Sequence, residues 1–247
     1  MASTKISFPD AKTFQSMMES LAKIIDEISM RITPEGVKAV AMDPAQIALI
    51  TFELPPDSFI EYEVEEETRL GINIQNLVKI LKRGKKGNKL DIEIEGDRVT
   101  WTIFGATVKK YRLLNLDVPE PEIPEATLEF NVKAAMIVDP FKNVLKDAEA
   151  VGDTLEIEAP DNTTLILRGK GVATAEAKIT SDTPVLIEYE VKEPSKSAYS
   201  IDYLKHVIAL TKVADTIVIE FSSDMPLKLS FKLPAGGNVT YLLAPKA

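Results

Sequence analysis

At 247 residues and 45% hydrophobic content, the chain can bury one large core or two cores in domains of about 120 residues each. It has no cysteine and a single histidine, His206, which excludes disulfides, thiolate metal sites, a cysteine nucleophile, histidine triads and multi-histidine metal centres. The formal net charge is -9, yet basic residues recur on several predicted helix faces. No apolar segment follows basic residues near the start, and no run of about 18 apolar residues occurs. The expectation is therefore a cytoplasmic protein with no membrane partner.

The first strongly periodic segment is a predicted helix over 10–25. Phe14, Met17, Met18, Leu21 and Ile25 form one buried stripe, and Asp10 is placed as its N-cap. At about 100° per residue, Lys12 and Lys23 lie together on nearly the opposite side. Turn signals follow at Thr33-Pro34-Glu35-Gly36 and Pro55-Pro56-Asp57. Residues 53–67 carry seven acids and no base. A second helix is predicted over 74–83, with Ile74, Leu77, Val78 and Leu81 on its apolar face and Gly84 at its end. Lys79 and Arg83 lie opposite that face, and Lys82 lies on its flank. Residues 91–95 alternate polar and apolar, and Glu95-Gly96-Asp97 turns the chain into Val99, Trp101 and Ile103.

Residues 116–125 hold three prolines and four acids, which reads as a stiff, solvated connector. Beyond it the order of elements repeats. A third helix is predicted over 139–150 through Phe141, Val144, Leu145 and Ala148, ending at Gly152. Lys142 and Lys146, four residues apart, point away from Phe141 and Leu145. A turn at Ala159-Pro160-Asp161-Asn162 and alternating runs at 185–191 and 227–233 read as antiparallel strands. A fourth helix is predicted over 201–213 through Leu204, Val207 and Ile208, with Ser200 as cap. Lys205 and Lys212 share one flank of it. The predicted class is α+β, with two similar domains of antiparallel sheet and two helices each. The domains are expected at 1–116 and 127–247, joined by a linker at 117–126.

No catalytic constellation stands out. Gly84-Lys85-Lys86-Gly87-Asn88-Lys89 lacks the phosphate-loop pattern, and Gly169-Lys170-Gly171 reads as a turn between strands. No two carboxylates are singled out by spacing as an acid–base pair, and His206 reads as a surface residue beside Lys205. Neither a metal nor a cofactor is expected. What remains is the set of basic helix faces. Helices lining one concave surface would turn these lysines toward a phosphate backbone without reading bases.

Five segments stand in a characteristic order and spacing: Ala41-Met42-Asp43, Lys79-Ile80-Leu81-Lys82, Leu116-Asp117-Val118 with Ile123-Pro124-Glu125, Asp224-Met225-Pro226-Leu227 and Tyr241-Leu242-Leu243-Ala244-Pro245-Lys246. On these segments the chain resembles the sliding clamps of the proliferating cell nuclear antigen (PCNA) family over essentially its whole length. The C-terminal run is most similar to crenarchaeal members. The resemblance implies a ring of three two-domain subunits around duplex DNA, without enzymatic activity of its own and located with the chromosome. DNA polymerase, a clamp loader, a flap nuclease and a ligase would dock through short peptide motifs, and the other subunits would complete a homotrimer or heterotrimer. A checkpoint-type clamp or other scaffold on the same fold is the alternative.

By position, the family's partner pocket maps to Met42, Ile47, Leu49, Ile123, Pro124, Met225, Pro226, Leu242, Leu243, Ala244 and Pro245. Ile47 reads equally well as a core residue of a strand. Pro119 and Pro121 depart from the family by stiffening the linker. Subunits are expected to join edge to edge, through the strand near 108–114 of one and the strand near 172–180 of the next.

Overall fold

The computed structural model describes residues 4–121, 128–233 and 236–246. The chain separates into two compact units. One comprises Met1–Asp43, Ile50–Glu122 and Leu233–Val239; the other comprises Pro44–Leu49, Ile123–Lys232 and Thr240–Ala247.

The first eleven elements are β1 (Thr4–Phe8), α1 (Ala11–Leu21), β2 (Glu27–Thr33), β3 (Gly36–Met42), β4 (Ala48–Leu54), β5 (Glu61–Glu63), β6 (Thr68–Asn73), α2 (Ile74–Leu81), β7 (Lys89–Glu95), β8 (Arg98–Phe104) and β9 (Val108–Leu114). The next eleven repeat that order: β10 (Val132–Ile137), α3 (Val138–Val151), β11 (Gly152–Asp161), β12 (Thr164–Gly171), β13 (Thr174–Thr180), β14 (Leu186–Val191), β15 (Ser195–Ser200), α4 (Ile201–Leu204), β16 (Thr216–Phe221), β17 (Leu227–Lys232) and β18 (Asn238–Leu243). Strand neighbours repeat as well. The orders β5-β1-β7-β8-β9 and β4-β3-β2-β6 become β14-β10-β16-β17-β18 and β13-β12-β11-β15.

Small contacts are duplicated with the strands. Lys5 pairs with Glu61 at 3.1 Å, and at the matching place Lys133 pairs with Glu188 at 2.9 Å. The next residue of each motif, Tyr62 or Tyr189, donates its hydroxyl at 2.6 Å to a carbonyl, Thr33 or Thr164, in the neighbouring hairpin. Burial pushes the Tyr62 phenol up to about 12 and raises that of Tyr189 as well.

Period-two patterning builds both cores. Leu90, Ile92 and Ile94 of β7 face inward with Val99, Trp101 and Ile103 of β8, and α1 lays Phe14 against Trp101. In the second unit Leu165 and Leu167 of β12 are covered by α3 through Phe141, Leu145 and Ala148. Gly169 lets that helix approach, since a Cβ there would lie 2.4 Å from the Ala148 backbone.

Among the described residues there are four α-helices, and none is long and apolar enough to cross a membrane. Asp10 caps α1 as expected, accepting from the Lys12 N–H at 2.9 Å. The fourth helix departs from expectation. Only Ile201–Leu204 is α-helical, followed by 3-10 turns at Lys205–Val207 and Leu210–Lys212, and the Ser200 side chain makes no capping bond. Its backbone closes i to i+3 bonds at Ile208, Lys212 and Val213, and the Thr211 hydroxyl takes the Ile208 carbonyl at 2.7 Å. Val207, Ile208, Thr211 and Val213 are β-branched, which weakens a regular helix here.

Candidate functional site

The basic residues fall into two groups, set by their neighbours. Lys23, Lys79, Arg83, Lys146 and Lys212 are exposed, and their side chains make no ion pair among the described residues. The others are engaged. The Lys12 ammonium donates to Gln15 at 2.9 Å, and Gln15 in turn donates to Glu19 at 2.7 Å. Lys82 approaches the same Glu19 at 3.9 Å from α2, so one polar line joins the two helices. Lys142 lies 3.7 Å from Asp139 and is half-buried. Lys205 is held by Glu149 of α3 at 2.8 Å, and that hydrogen bond and charge raise its pKa.

One placement corrects the expectation. Lys205 and Lys212 do not share a continuous helix, because the segment breaks between them. The Arg83 carbonyl accepts the Lys109 ammonium at 3.0 Å, tying the end of α2 to β9. Nothing in the sequence singles out the carboxylates of Glu19 and Glu149. Each belongs to a different helix from the lysine it holds, so helical spacing carried no signal for either pair.

The second unit supplies most of the expected partner surface. Ile47 is 37% exposed, which decides against a core role for it. Leu49, Met225, Pro226, Leu242, Ala244 and Pro245 are half-buried. The Ala244 N–H donates to the Ile47 carbonyl at 2.9 Å, bringing the C-terminal run beside residues 44–49. Gln46 and Asp224 adopt left-handed backbone (φ 57 and 55) just before Ile47 and Met225, so tight turns present both side chains. Below Met225 the Tyr199 hydroxyl donates to its carbonyl at 3.0 Å, and burial pushes that phenol up to about 12.

Leu243 is a correction. It is fully buried, in phase with Val239 and Tyr241, while Leu242 takes the outward phase of β18. It belongs to the core and is not available as an anchor surface. Met42 is half-buried and belongs to the first unit. Ile123 and Pro124 lie outside the described residues.

His206 is half-buried rather than on the surface, its ring 5.3 Å from that of Tyr203 and its Nδ1 3.5 Å from the Tyr241 hydroxyl. Among the described residues no group of three His, Asp or Glu side chains is arranged to hold a metal ion.

Strands β9 and β13 are sheet edges, and the chain leaves both uncovered among the described residues. Val108 and Leu114 at the ends of β9 are each 63% exposed. Edge β6 is treated differently. The Leu116 N–H donates to the Gly71 carbonyl at 2.8 Å, while the Asn115 side chain accepts from Gly71 at 2.8 Å and donates to Arg69 at 3.0 Å. The start of the connector therefore runs along β6. Gly71 is required there, since a Cβ would lie 1.9 Å from the Leu116 oxygen.

Comparison with known proteins agrees with this architecture. Residues 4–118 match the family described as proliferating cell nuclear antigen, N-terminal domain, and residues 122–246 match its C-terminal domain. DNA polymerase sliding clamp 1 of Aeropyrum pernix is 38% identical over 241 residues, spanning 96% of this chain and 97% of that protein. The protein of the same name from Sulfolobus acidocaldarius is 38% identical over 245 residues, with 98% and 99% covered. Among solved structures, the PCNA2-PCNA3 complex of Sulfolobus tokodaii superposes with a TM-score of 0.92 at 27% identity, covering 98% of this chain and 99% of that one. PCNA from Thermococcus kodakaraensis gives 0.91 at 28% identity, with 98% and 100% covered. With both halves matched along their length and the duplicated strand order in place, the chain belongs to the PCNA family of DNA polymerase sliding clamps.

Proposed function

We propose that the chain is one subunit of a closed ring that surrounds duplex DNA and holds replication enzymes on it. The observation that carries this reading is the pair of uncovered edges, β9 and β13, on a fold whose relatives are named sliding clamps. Edge strands left open on a protein this size invite pairing, and closing a ring through them removes both liabilities at once. Lys23, Lys79, Arg83, Lys146 and Lys212 would meet phosphates without reading bases, which permits sliding because no sequence traps the ring. The net charge of -9 would discourage DNA from binding elsewhere on the protein.

Partner enzymes would dock through short segments with apolar anchors on Ile47, Leu49, Met225, Pro226, Leu242, Ala244 and Pro245. The subunit itself supplies topology and attachment, with no catalysis. The test is retention on DNA after loading by a clamp loader with ATP. A ring stays on a closed circular plasmid in high salt and is lost when the plasmid is linearised. Retention that survives linearisation overturns encirclement. Mass measurement of the chain alone, and with any paralogues from the same source, identifies the ring's composition.

A further inference from the structure

Arg31 of β2 and Arg69 of β6 are direct cross-strand partners. Like charges placed opposite each other destabilise a sheet unless anions sit between them. The duplicated position in the second unit has no such conflict: there Glu158 of β11 faces Lys196 of β15, an opposite-charge pair at 3.9 Å. The first unit resolves its conflict with two carboxylates. Glu67 lies 3.6 Å from Arg31 and 3.8 Å from Arg69. The second is Glu120 of the connector, bonded to Arg31 at 2.8 Å and lying 3.8 Å from Arg69.

We infer that Arg31 and Arg69 form a socket for the linker's own Glu120, and that this latch positions the connector for partner binding. Glu120 stands between Pro119 and Pro121, so its side chain is presented on a stiff segment. It is 32% exposed on its side chain, less than either arginine, and its Oε1 is shielded from solvent without a hydrogen-bond partner, facing the Arg69 guanidinium at 3.8 Å. Together with Asn115 and Leu116 on β6, the latch gives the connector a second fixed point on the first unit. Glu120 is thus a positioning residue: it fixes where the connector leaves that unit, without touching the partner.

The functional half of this inference rests on the proposed partner surface, and the test separates the two. Glu120→Gln, Arg31→Gln and the double variant are compared with the unaltered protein by amide hydrogen exchange of residues 115–120 and by titration with a synthetic peptide bearing two aromatic anchors. Thermal unfolding of each variant checks that the fold is kept. The latch predicts faster exchange in Glu120→Gln and peptide affinity weakened about threefold at low salt, with the difference closing in high salt. The double variant loses less than the two single effects summed, because both remove the Arg31–Glu120 contact. Exchange that stays unchanged in Glu120→Gln overturns the latch. Faster exchange with unchanged peptide affinity overturns its positioning role. If the unaltered protein binds no peptide, the proposed partner surface fails, and the exchange measurement still decides the latch.

Discussion

The two units share a strand order and differ in what each does at equivalent positions. Where the first has Gly71 beneath the connector, the second has Ala198, and each offers its carbonyl to the chain leaving the last strand of its half: Leu116 at 2.8 Å and Lys246 at 2.7 Å. Where the first has α2, eight residues capped by the Asn73 side chain, the second has one α-turn followed by 3-10 turns. Where the first opposes two arginines, the second opposes Glu158 and Lys196. Sheet topology survives such divergence because it depends on alternation, which many sequences satisfy. Helix regularity and charge pairing depend on individual residues, and they have drifted apart.

The strongest break of this comparison lies at two neighbouring leucines of β18. Leu243→Ala removes a fully buried side chain and should cost about 2–5 kcal/mol in denaturant unfolding. Leu242→Ala should leave stability nearly unchanged and weaken an aromatic-anchored peptide by about 1 kcal/mol in titration calorimetry. Equal effects of the two on peptide affinity would dissolve the distinction between core and surface phases.

Gly71→Ala should destabilise the protein by about 2 kcal/mol or more, since the added carbon must displace the Leu116 backbone. The matched change Ala198→Gly should cost only about 0.5–1 kcal/mol, a backbone-entropy effect. Similar costs for both would mean that the connector does not press on β6.

A smaller effect separates the lysines. Lys79→Ala should reduce the salt dependence of DNA affinity by about 0.9 in log–log slope, equally on any duplex. Lys205→Ala should reduce it less, because Glu149 already neutralises that ammonium. A Lys205 effect as large as that of Lys79 would show that the pair opens on DNA.

The smallest effect concerns acid. In the β13-β12-β11-β15 sheet of the second unit, burial pushes the Glu156 carboxyl up, but hydrogen bonds from Lys170, Lys196 and Arg168 prevail and hold it below its usual 4.5. A depressed carboxyl contributes stability above its unfolded value and loses it as pH falls through the folded one. Unfolding midpoints measured below pH 4.5 should therefore fall more steeply for the unaltered protein than for Glu156→Gln.

The two-fold plan is legible in the sequence. Buried stripes in α1, α2 and α3 and alternating runs in β7, β8 and β17 follow from local periodicity, which covalent geometry imposes on any chain, and the start of the connector follows from its prolines. The sequence also held the answer for Leu243, since Val239, Tyr241 and Leu243 share one phase; the family's pocket, carried over by position, hid it. Tertiary structure alone decided which charges meet. Glu120 and Arg31 are separated by 89 residues, and the Lys205–Glu149 and Lys82–Glu19 pairs each join two different helices. Such pairs depend on strand register and helix packing, which no local period encodes. The same holds for the break in the fourth helix, where an apolar helical pattern met β-branched residues and a hydroxyl that bonds back to the chain. Periodicity decides which face is buried; only packing decides what stands beside it.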